Sequence, residues 1–246
     1  MRGACLCGGV AFTVTGPLRP VIACHCTQCR KQSGHYWAAT SVPVTHLQMD
    51  RAETLRWYQA SPSARRGFCG GCGAFLFWQE QGSASMSLAA GALEGPTGLR
   101  IAEHWFHEDG GDYYTTPRAA TKVHGACLCG ANRFTVPHAA GAVWACHCSQ
   151  CRKTSGHYSA SFDAEQIDWQ ARSVARHVGP NGGLREFCPT CGSGLTFTKG
   201  GVTSVEAGVC EGATGGHLAG HVFAGDRGDY YALDDGLPQS DQDDLS

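Results

Sequence analysis

The sequence has little charge and no long apolar run. Charged residues make up 16% of the 246 residues, against roughly 25% in typical soluble domains. The formal net charge of −2 argues against a strongly basic nucleic-acid-binding protein. No stretch approaches the roughly 18 consecutive apolar residues of a transmembrane helix, and the first residues lack the apolar core of a signal peptide. We therefore expect a cytoplasmic protein without nucleic-acid or membrane partners.

Cysteine and glycine, by contrast, are abundant. The chain contains 15 Cys and 34 Gly, and 42% of its residues are hydrophobic, which is enough to build a core. So many cysteines indicate either disulfides or bound metal. Because thiols stay reduced in the cytoplasm, metal is the favoured interpretation.

The chain is an internal duplication, which we read from motifs that recur at nearly constant spacing. The separation is 122 residues at first, 119 around the last paired cysteines and 117 beyond them. The matching segments are residues 3–8 and 125–130, 24–31 and 146–153, 33–36 and 155–158, 68–73 and 187–192, and 112–114 and 229–231.

Two modules follow from this repeat, residues 1–117 and 122–238. The junction between them is short, so we expect the modules to pack together as a pseudo-dimer. Residues 239–246 form an acidic tail that we expect to fray.

Each module has the sequence pattern of a β protein. Strand-forming runs follow glycine turns at residues 10–15, 74–78 and 85–91, and again at 133–136, 194–198 and 202–208. Only residues 30–33 suggest a single helical turn. The predicted fold class is all-β.

The spacing of the cysteines indicates zinc. Each module carries Cys-X-Cys, then Cys-X-Cys-X2-Cys, then Cys-X2-Cys-Gly. A closed zinc site takes four protein ligands, so seven thiolates divide most naturally into four plus three. The assigned closed sets are Cys5, Cys7, Cys69, Cys72 and Cys127, Cys129, Cys188, Cys191. The assigned open sets, which leave a position for water or substrate as catalytic zinc sites do, are Cys24, Cys26, Cys29 and Cys146, Cys148, Cys151.

Other interpretations of the cysteines stay open at this point. Spacing alone allows other pairings, disulfides or iron–sulfur clusters, and the three-cysteine set could be structural with an unseen fourth ligand. His25 and His147 lie between ligands on extended backbone, which turns their side chains away from the metal. Cys210 stands opposite Leu93 in the repeat and is interpreted as a small buried hydrophobic residue.

At these motifs the chain resembles two copies of the glutathione-dependent formaldehyde-activating enzyme domain, which also occurs in centromere protein V. The resemblance rests on residues 3–8, 24–34 and 68–73, on their second copies, and on an ending at 221–223 and 235–239. It covers nearly the whole chain. The first copy departs from the family pattern because it lacks the Asp-Gly-Leu-Pro ending.

The resemblance implies two tandem β-tent domains of antiparallel sheets. It implies a structural zinc in each closed set and a catalytic-type zinc in each open set, up to four Zn²⁺ per chain. The family's name-giving activity joins glutathione and formaldehyde into S-hydroxymethylglutathione, a carbon–sulfur lyase-type reaction. The expected partners are therefore a glutathione-like thiol and a small aldehyde.

The residues suggest how such an enzyme would work. An open three-thiolate zinc could exchange a ligand for a substrate thiol and lower the pKa of that thiol. Four basic residues are candidates for binding substrate carboxylates: Arg30, Lys31, Arg152 and Lys153. No residue stands out as a general acid or base.

Two alternatives to this enzyme remain. In the first, the chain is a non-catalytic binding module in which both kinds of zinc are structural. Its aromatic residues would then belong to a surface or to the module interface, and they are Trp105, Tyr113, Tyr114, Tyr230 and Tyr231. In the second, one copy is active and the other is a scaffold, although both keep all seven cysteines.

Overall fold

The computed structural model describes residues 1–243 and is built mostly of strands. The first module contains β1 (Arg2–Ala4), β2 (Ala11–Val14), β3 (Val21–Cys24), β4 (Trp37–Pro43), β5 (Leu47–Arg51), β6 (Leu55–Ser61), β7 (Ala64–Cys69), β8 (Phe75–Glu80), β9 (Ser85–Ala89) and β10 (Ile101–Trp105). The second contains β11 (Val123–Ala126), β12 (Arg133–Val136), β13 (Gly141–Cys146), β14 (Ser159–Asp163), β15 (Asp168–Ala171), β16 (Ala175–Val178), β17 (Leu184–Phe187), β18 (Gly194–Lys199), β19 (Val202–Glu206), β20 (Cys210–Glu211) and β21 (Gly216–Val222). The predicted all-β class with two similar domains is confirmed.

Helices are short. Each module has one α-helix, α1 (Thr27–Ser33) or α2 (Ser149–Ser155), and the 3₁₀ turns are Val44–His46, Ala90–Ala92, His107–Asp109, Ala207–Val209 and Ala224–Asp226. Helix α1 is longer than the single turn we predicted because it begins right after Cys26. It ends at Gly34, whose left-handed φ of 85° lets its N–H bond the Arg30 carbonyl. No helix in the described part of the chain is long and apolar enough to cross a membrane.

The two modules share one topology. Each has a seven-stranded sheet, in the order β10-β3-β4-β9-β8-β7-β6 or β21-β13-β14-β19-β18-β17-β16. A smaller sheet packs against it, in the order β1-β2-β5 or β15-β12-β11-β20. All pairings are antiparallel except β10 with β3 and β21 with β13. Aromatic side chains fill the space between the sheets, as with Phe12 and Phe77, whose ring centroids lie 5.2 Å apart.

The modules exchange equivalent Asp-Tyr-Tyr segments. Residue Tyr113 of the first repeat is buried in the hydrophobic core of the second, and Tyr230 packs on Val21, Ala38 and Ala90 of the first. Each tyrosine is 2% exposed. A buried tyrosine removes on the order of 150–250 Å² from water, worth roughly 4–6 kcal/mol at 25 cal/mol per Å². The exchange therefore makes each core depend on the other module.

Hydrogen bonds fix both exchanged segments. The Asp112 carboxylate accepts from the Thr214 N–H at 2.9 Å and from its hydroxyl at 2.7 Å. Asp229 accepts from the Thr97 N–H and hydroxyl, both at 2.6 Å, and from the Gly98 N–H at 2.8 Å. The aspartate of each segment thus caps a loop of the opposite module.

The last described residues lie along β21 and are not frayed as expected. The Ser240 N–H donates to the His221 carbonyl and the His221 N–H to the Pro238 carbonyl, both at 2.9 Å. These bonds satisfy backbone groups that an edge strand otherwise leaves open. Residues 244–246 of the predicted tail lie outside the described part of the chain.

Candidate metal centres

The fold brings each predicted closed set together. The Cys7 sulfur lies 3.6 Å from the Cys5 and Cys69 sulfurs, and all four sulfurs of the set lie within 4.8 Å of one another. The second closed set is equally compact. The sulfurs of a zinc tetrahedron with Zn–S bonds of about 2.3 Å are separated by a little under 4 Å, so this donor set fits zinc.

The two predicted open sets also form clusters, and no fourth His, Cys, Asp or Glu ligand joins either of them among residues 1–243. In the first, Cys24 ends β3, Cys26 precedes α1, and Cys29 lies in the first turn of that helix. Cys24 and Cys26 are half-buried, as are all three cysteines of the second open set. The open sets are therefore less completely buried than the closed sets, in which six of the eight cysteines are buried.

Crowding of the sulfurs favours one thiolate in each open set. Hydrogen bonds from the Cys24 and Cys29 thiols lower the pKa of Cys26 to about 2. Those from Cys146 and Cys151 do the same for Cys148. Such a cluster concentrates negative charge and attracts a cation.

An arginine that the sequence reasoning missed lies beside each open set. Both terminal nitrogens of Arg66 lie 3.6 Å from the Cys29 sulfur. Arg185 lies 3.8 Å from the Cys151 sulfur. The two arginines are related by the same 119-residue shift as the nearby Cys-X2-Cys motif, and this was the signal that could have found them. Each offsets part of the thiolate charge.

The histidines between the cysteines face away from the sulfurs, as the extended backbone predicted. His147 Nδ1 lies 2.7 Å from the Tyr231 hydroxyl, and its Nε2 lies 2.9 Å from His221 Nδ1. His221 Nε2 in turn lies 2.9 Å from an oxygen of Asp235. Burial lowers the pKa of His147 to about 3. The neutral ring is thus fully engaged and positions Tyr231.

In the first module the equivalent series of hydrogen-bonded side chains is shorter. His25 lies 3.0 Å from both the Tyr114 hydroxyl and His104 Nδ1. No carboxylate meets His104 within residues 1–243, because the first copy lacks the ending that carries Asp235.

The modules also differ next to the open sets. The repeat aligns Trp37 with Ser159 and Ala89 with Glu206. In the second module the Ser159 hydroxyl donates to the Glu206 carboxylate at 2.6 Å. Burial raises the pKa of Glu206 to about 7. Trp37 occupies the corresponding space in the first module and stacks on Phe75.

Three of the four basic residues proposed for substrate carboxylates are engaged within the protein. Arg30 donates to the Asp109 and Gly208 carbonyls at 2.9 and 3.1 Å. Lys31 pairs with Glu211, and Lys153 pairs with Glu94 at 3.3 Å. Of the four, only Arg152 has a side chain that makes no hydrogen bond to any residue of the described chain.

The remaining residues singled out from the sequence lie at the module interface or on the surface. The hydroxyls of Tyr113 and Tyr230 lie 2.7 and 3.1 Å from the Nδ1 atoms of His35 and His157, which are buried at the interface. Trp105 is 47% exposed. Cys210 is buried, as predicted, and belongs to none of the clusters.

Comparison with known proteins identifies the family. The sequence profile described as "Glutathione-dependent formaldehyde-activating enzyme" matches residues 1–109 and 122–225. The chain belongs to this family. It therefore carries two tandem copies of the domain, as the repeat predicted.

Among solved structures, a Rhodobacter sphaeroides protein is similar to this chain at 27% sequence identity. The match covers 99% of that protein and 42% of this chain, with a TM-score of 0.36. No curated protein matches this chain.

Proposed function

We propose that this protein catalyses addition of a glutathione-like thiol to a formaldehyde-like aldehyde. A carbon–sulfur bond forms between the thiol sulfur and the carbonyl carbon. The carbonyl π bond breaks, and the proton of the thiol ends on the oxygen, giving a hydroxymethyl thioether. Atoms and electrons balance without an oxidant or reductant.

The observation that carries this proposal is the pair of half-buried three-cysteine clusters that no fourth protein ligand joins among residues 1–243. We assign Cys24, Cys26 and Cys29, and their second-module equivalents, as ligands of an exchangeable zinc. A zinc ion held there would supply a position at which a substrate thiol loses its proton more readily. The closed sets, which are mostly buried, are assigned to structural zinc.

The protein side chains around each cluster have separate roles in this proposal. Arg66 and Arg185 offset the negative charge of the thiolates, which lets another anionic sulfur approach. Tyr114 and Tyr231 are held by His25 and His147, so each hydroxyl has a fixed orientation. These two tyrosines are our candidates for transferring the proton from the thiol to the carbonyl oxygen. The sequence had identified no general acid or base for this role.

The test measures exchange between glutathione, formaldehyde and their adduct by NMR at equilibrium, where the spontaneous rate is known from a protein-free sample. We expect the wild type to accelerate exchange. Cys26→Ser and Cys148→Ser should each remove the contribution of one module, and the double variant should return the rate to the spontaneous value.

Cys210→Ala is the matched control, because it removes a buried cysteine outside the clusters and should leave the rate unchanged. Metal content and circular dichroism show whether the closed sets and the fold survive. A folded double variant that accelerates exchange as the wild type does would contradict the proposal. If both single variants keep part of the activity, both modules are active. If one single variant is inactive, the module that it leaves unchanged is a scaffold.

A further inference from the structure

A cavity of about 400 Å³ lies at the junction of the two modules. Its walls come from the loop that follows the Ala90–Ala92 turn in the first module and from α2 and the exchanged segment of the second. The residues that matter for its chemistry are Leu93, Pro96, Arg152, Lys153, Arg227 and Asp229. Because both modules contribute, the cavity exists only in the paired arrangement.

Arg152 is the unusual group in this cavity. Its Nε atom is buried and has no hydrogen-bond partner among residues 1–243. The equivalent Arg30 of the first module instead donates to the carbonyls of Asp109 and Gly208. A buried donor without a partner costs free energy, so the protein holds this guanidinium in place without using all of its hydrogen-bonding capacity.

The charges around Arg152 favour an anion of low charge. Lys153 is paired with Glu94 at 3.3 Å, and the Asp229 carboxylate already accepts three hydrogen bonds from Thr97 and Gly98. Arg227 is exposed and donates to one backbone carbonyl. Three cations and two carboxylates thus line the cavity, which leaves a single positive charge in excess.

The corresponding cavity on the opposite side of the junction has the reverse balance. It measures about 170 Å³ and is lined by Arg30 and Arg118 together with Glu108, Asp109 and Asp112. Two cations against three carboxylates make it unsuited to an anion. The duplication therefore produced two related cavities, of which only one is suited to a negative ligand.

We propose that the cavity at Arg152 binds a small molecule that carries one carboxylate. The two terminal nitrogens of the planar guanidinium, which make no hydrogen bond among residues 1–243, match a carboxylate through two parallel N–H···O bonds. Leu93 and Pro96 offer apolar surface to an aliphatic part of the ligand. This binding is separate from the reaction proposed above and does not require metal in the cysteine clusters.

Butyrate is a suitable probe, with butyramide as its neutral analogue and inorganic phosphate as the competing anion. Binding to the full chain is followed by ligand-observed NMR titration. We expect butyrate to bind at one site and to bind more tightly than both comparators. Arg152→Gln should weaken butyrate binding by roughly tenfold or more, because a hydrogen bond to a charged group is lost.

Arg118→Gln is the matched control, since it removes an arginine from the opposite cavity and should leave butyrate binding unchanged. Arg227→Gln is the second test variant and keeps the experiment decisive if Arg152→Gln does not fold. Its expected effect is a smaller weakening of the same binding. No saturable binding of butyrate, equal binding of butyramide, tighter binding of phosphate, or equal losses in Arg118→Gln and Arg152→Gln would each overturn the proposal.

Discussion

The two modules have the same cysteine clusters but different surroundings. In the first, the edge strand β10 is largely exposed and His104 meets solvent. In the second, residues 238–242 cover β21, and Asp235 reaches His221, which is 1% exposed. Where the first module places Trp37 beside Ala89, the second places a serine hydrogen-bonded to the buried Glu206.

These differences show what a tandem duplication can change. The cysteine positions are identical in number and order, and the exchange of Asp-Tyr-Tyr segments is reciprocal. The differences between the modules lie at their junction and at β21, the edge strand of the second module. The two copies of the domain thus hold similar cysteine clusters in different surroundings.

The largest expected effect tests whether the closed sets are equivalent. Cys69→Ser and Cys188→Ser each remove one ligand from a closed set, and structural zinc can supply on the order of 10 kcal/mol of folding free energy. We expect each variant to lose one tightly held zinc and cooperative thermal unfolding. A strong chelator should have the same effect on the wild type.

Metal analysis with thermal denaturation is the measurement. Cys210→Ala serves again as the control. If either variant keeps its full zinc content and melting temperature, the corresponding closed set is not a structural metal site.

The second effect tests the reciprocity of the exchange. Tyr113→Ala and Tyr230→Ala each empty a buried site in the opposite module, and truncating a buried aromatic ring typically costs about 3–5 kcal/mol. We expect both variants to lower the free energy of unfolding by similar amounts in urea. Tyr113→Phe and Tyr230→Phe remove only the hydroxyls and should cost less.

The wild type should unfold in one transition, because each core contains a tyrosine from the other repeat. Two separate transitions, with each variant affecting only one of them, would show that the modules fold independently.

The third effect concerns the asymmetry at Glu206. Burial raises the pKa of this carboxyl from 4.5 to about 7, while the hydrogen bond from Ser159 and the charge of Arg185 oppose the rise. The folded state therefore binds the proton more tightly than the unfolded chain. This tighter proton binding contributes about 3 kcal/mol to the free energy of unfolding. The contribution is fully present below about pH 4.5 and is lost as the pH rises through about 7.

Glu206→Gln should remove this dependence and make the protein more stable than the wild type at pH 8. The measurement is urea unfolding between pH 4.5 and 8. Glu80→Gln, in the first module, controls for the change in net charge. Parallel pH profiles for the wild type and Glu206→Gln would mean that folding does not raise the pKa of this carboxyl.

The smallest effect concerns the covered edge. Asp235→Asn weakens the contact with His221 and should cost about 1 kcal/mol, as expected for one hydrogen bond. His104→Ala removes the exposed counterpart in the first module and should cost less. Urea denaturation of the two variants gives the comparison, and an equal or larger cost for His104→Ala would show that the covered edge contributes no extra stability.

Much of the candidate site was predictable because the cysteines of each open set are close in sequence. Cys24, Cys26 and Cys29 lie within six residues, so local backbone geometry alone brings their sulfurs near one another. The repeat located their second copy, and the fold class followed from short strand-forming runs between glycine turns. The closed set was harder, since the spacing of Cys5 and Cys69 left other pairings open until the folded arrangement was known.

The sequence by itself determined the duplication, the β class and the composition of the cysteine sets, because these depend on local spacing and on repetition. Only the tertiary structure decided that Tyr113 belongs to the second core and that Arg66 and Arg185 lie beside the open sets. It also decided that, of the four basic candidates, only the Arg152 side chain has no partner among residues 1–243. Each of these depends on contacts between segments far apart in the chain. Such contacts depend on how distant segments pack and on which polar groups become buried. They cannot be predicted from the pattern of neighbouring residues in the sequence.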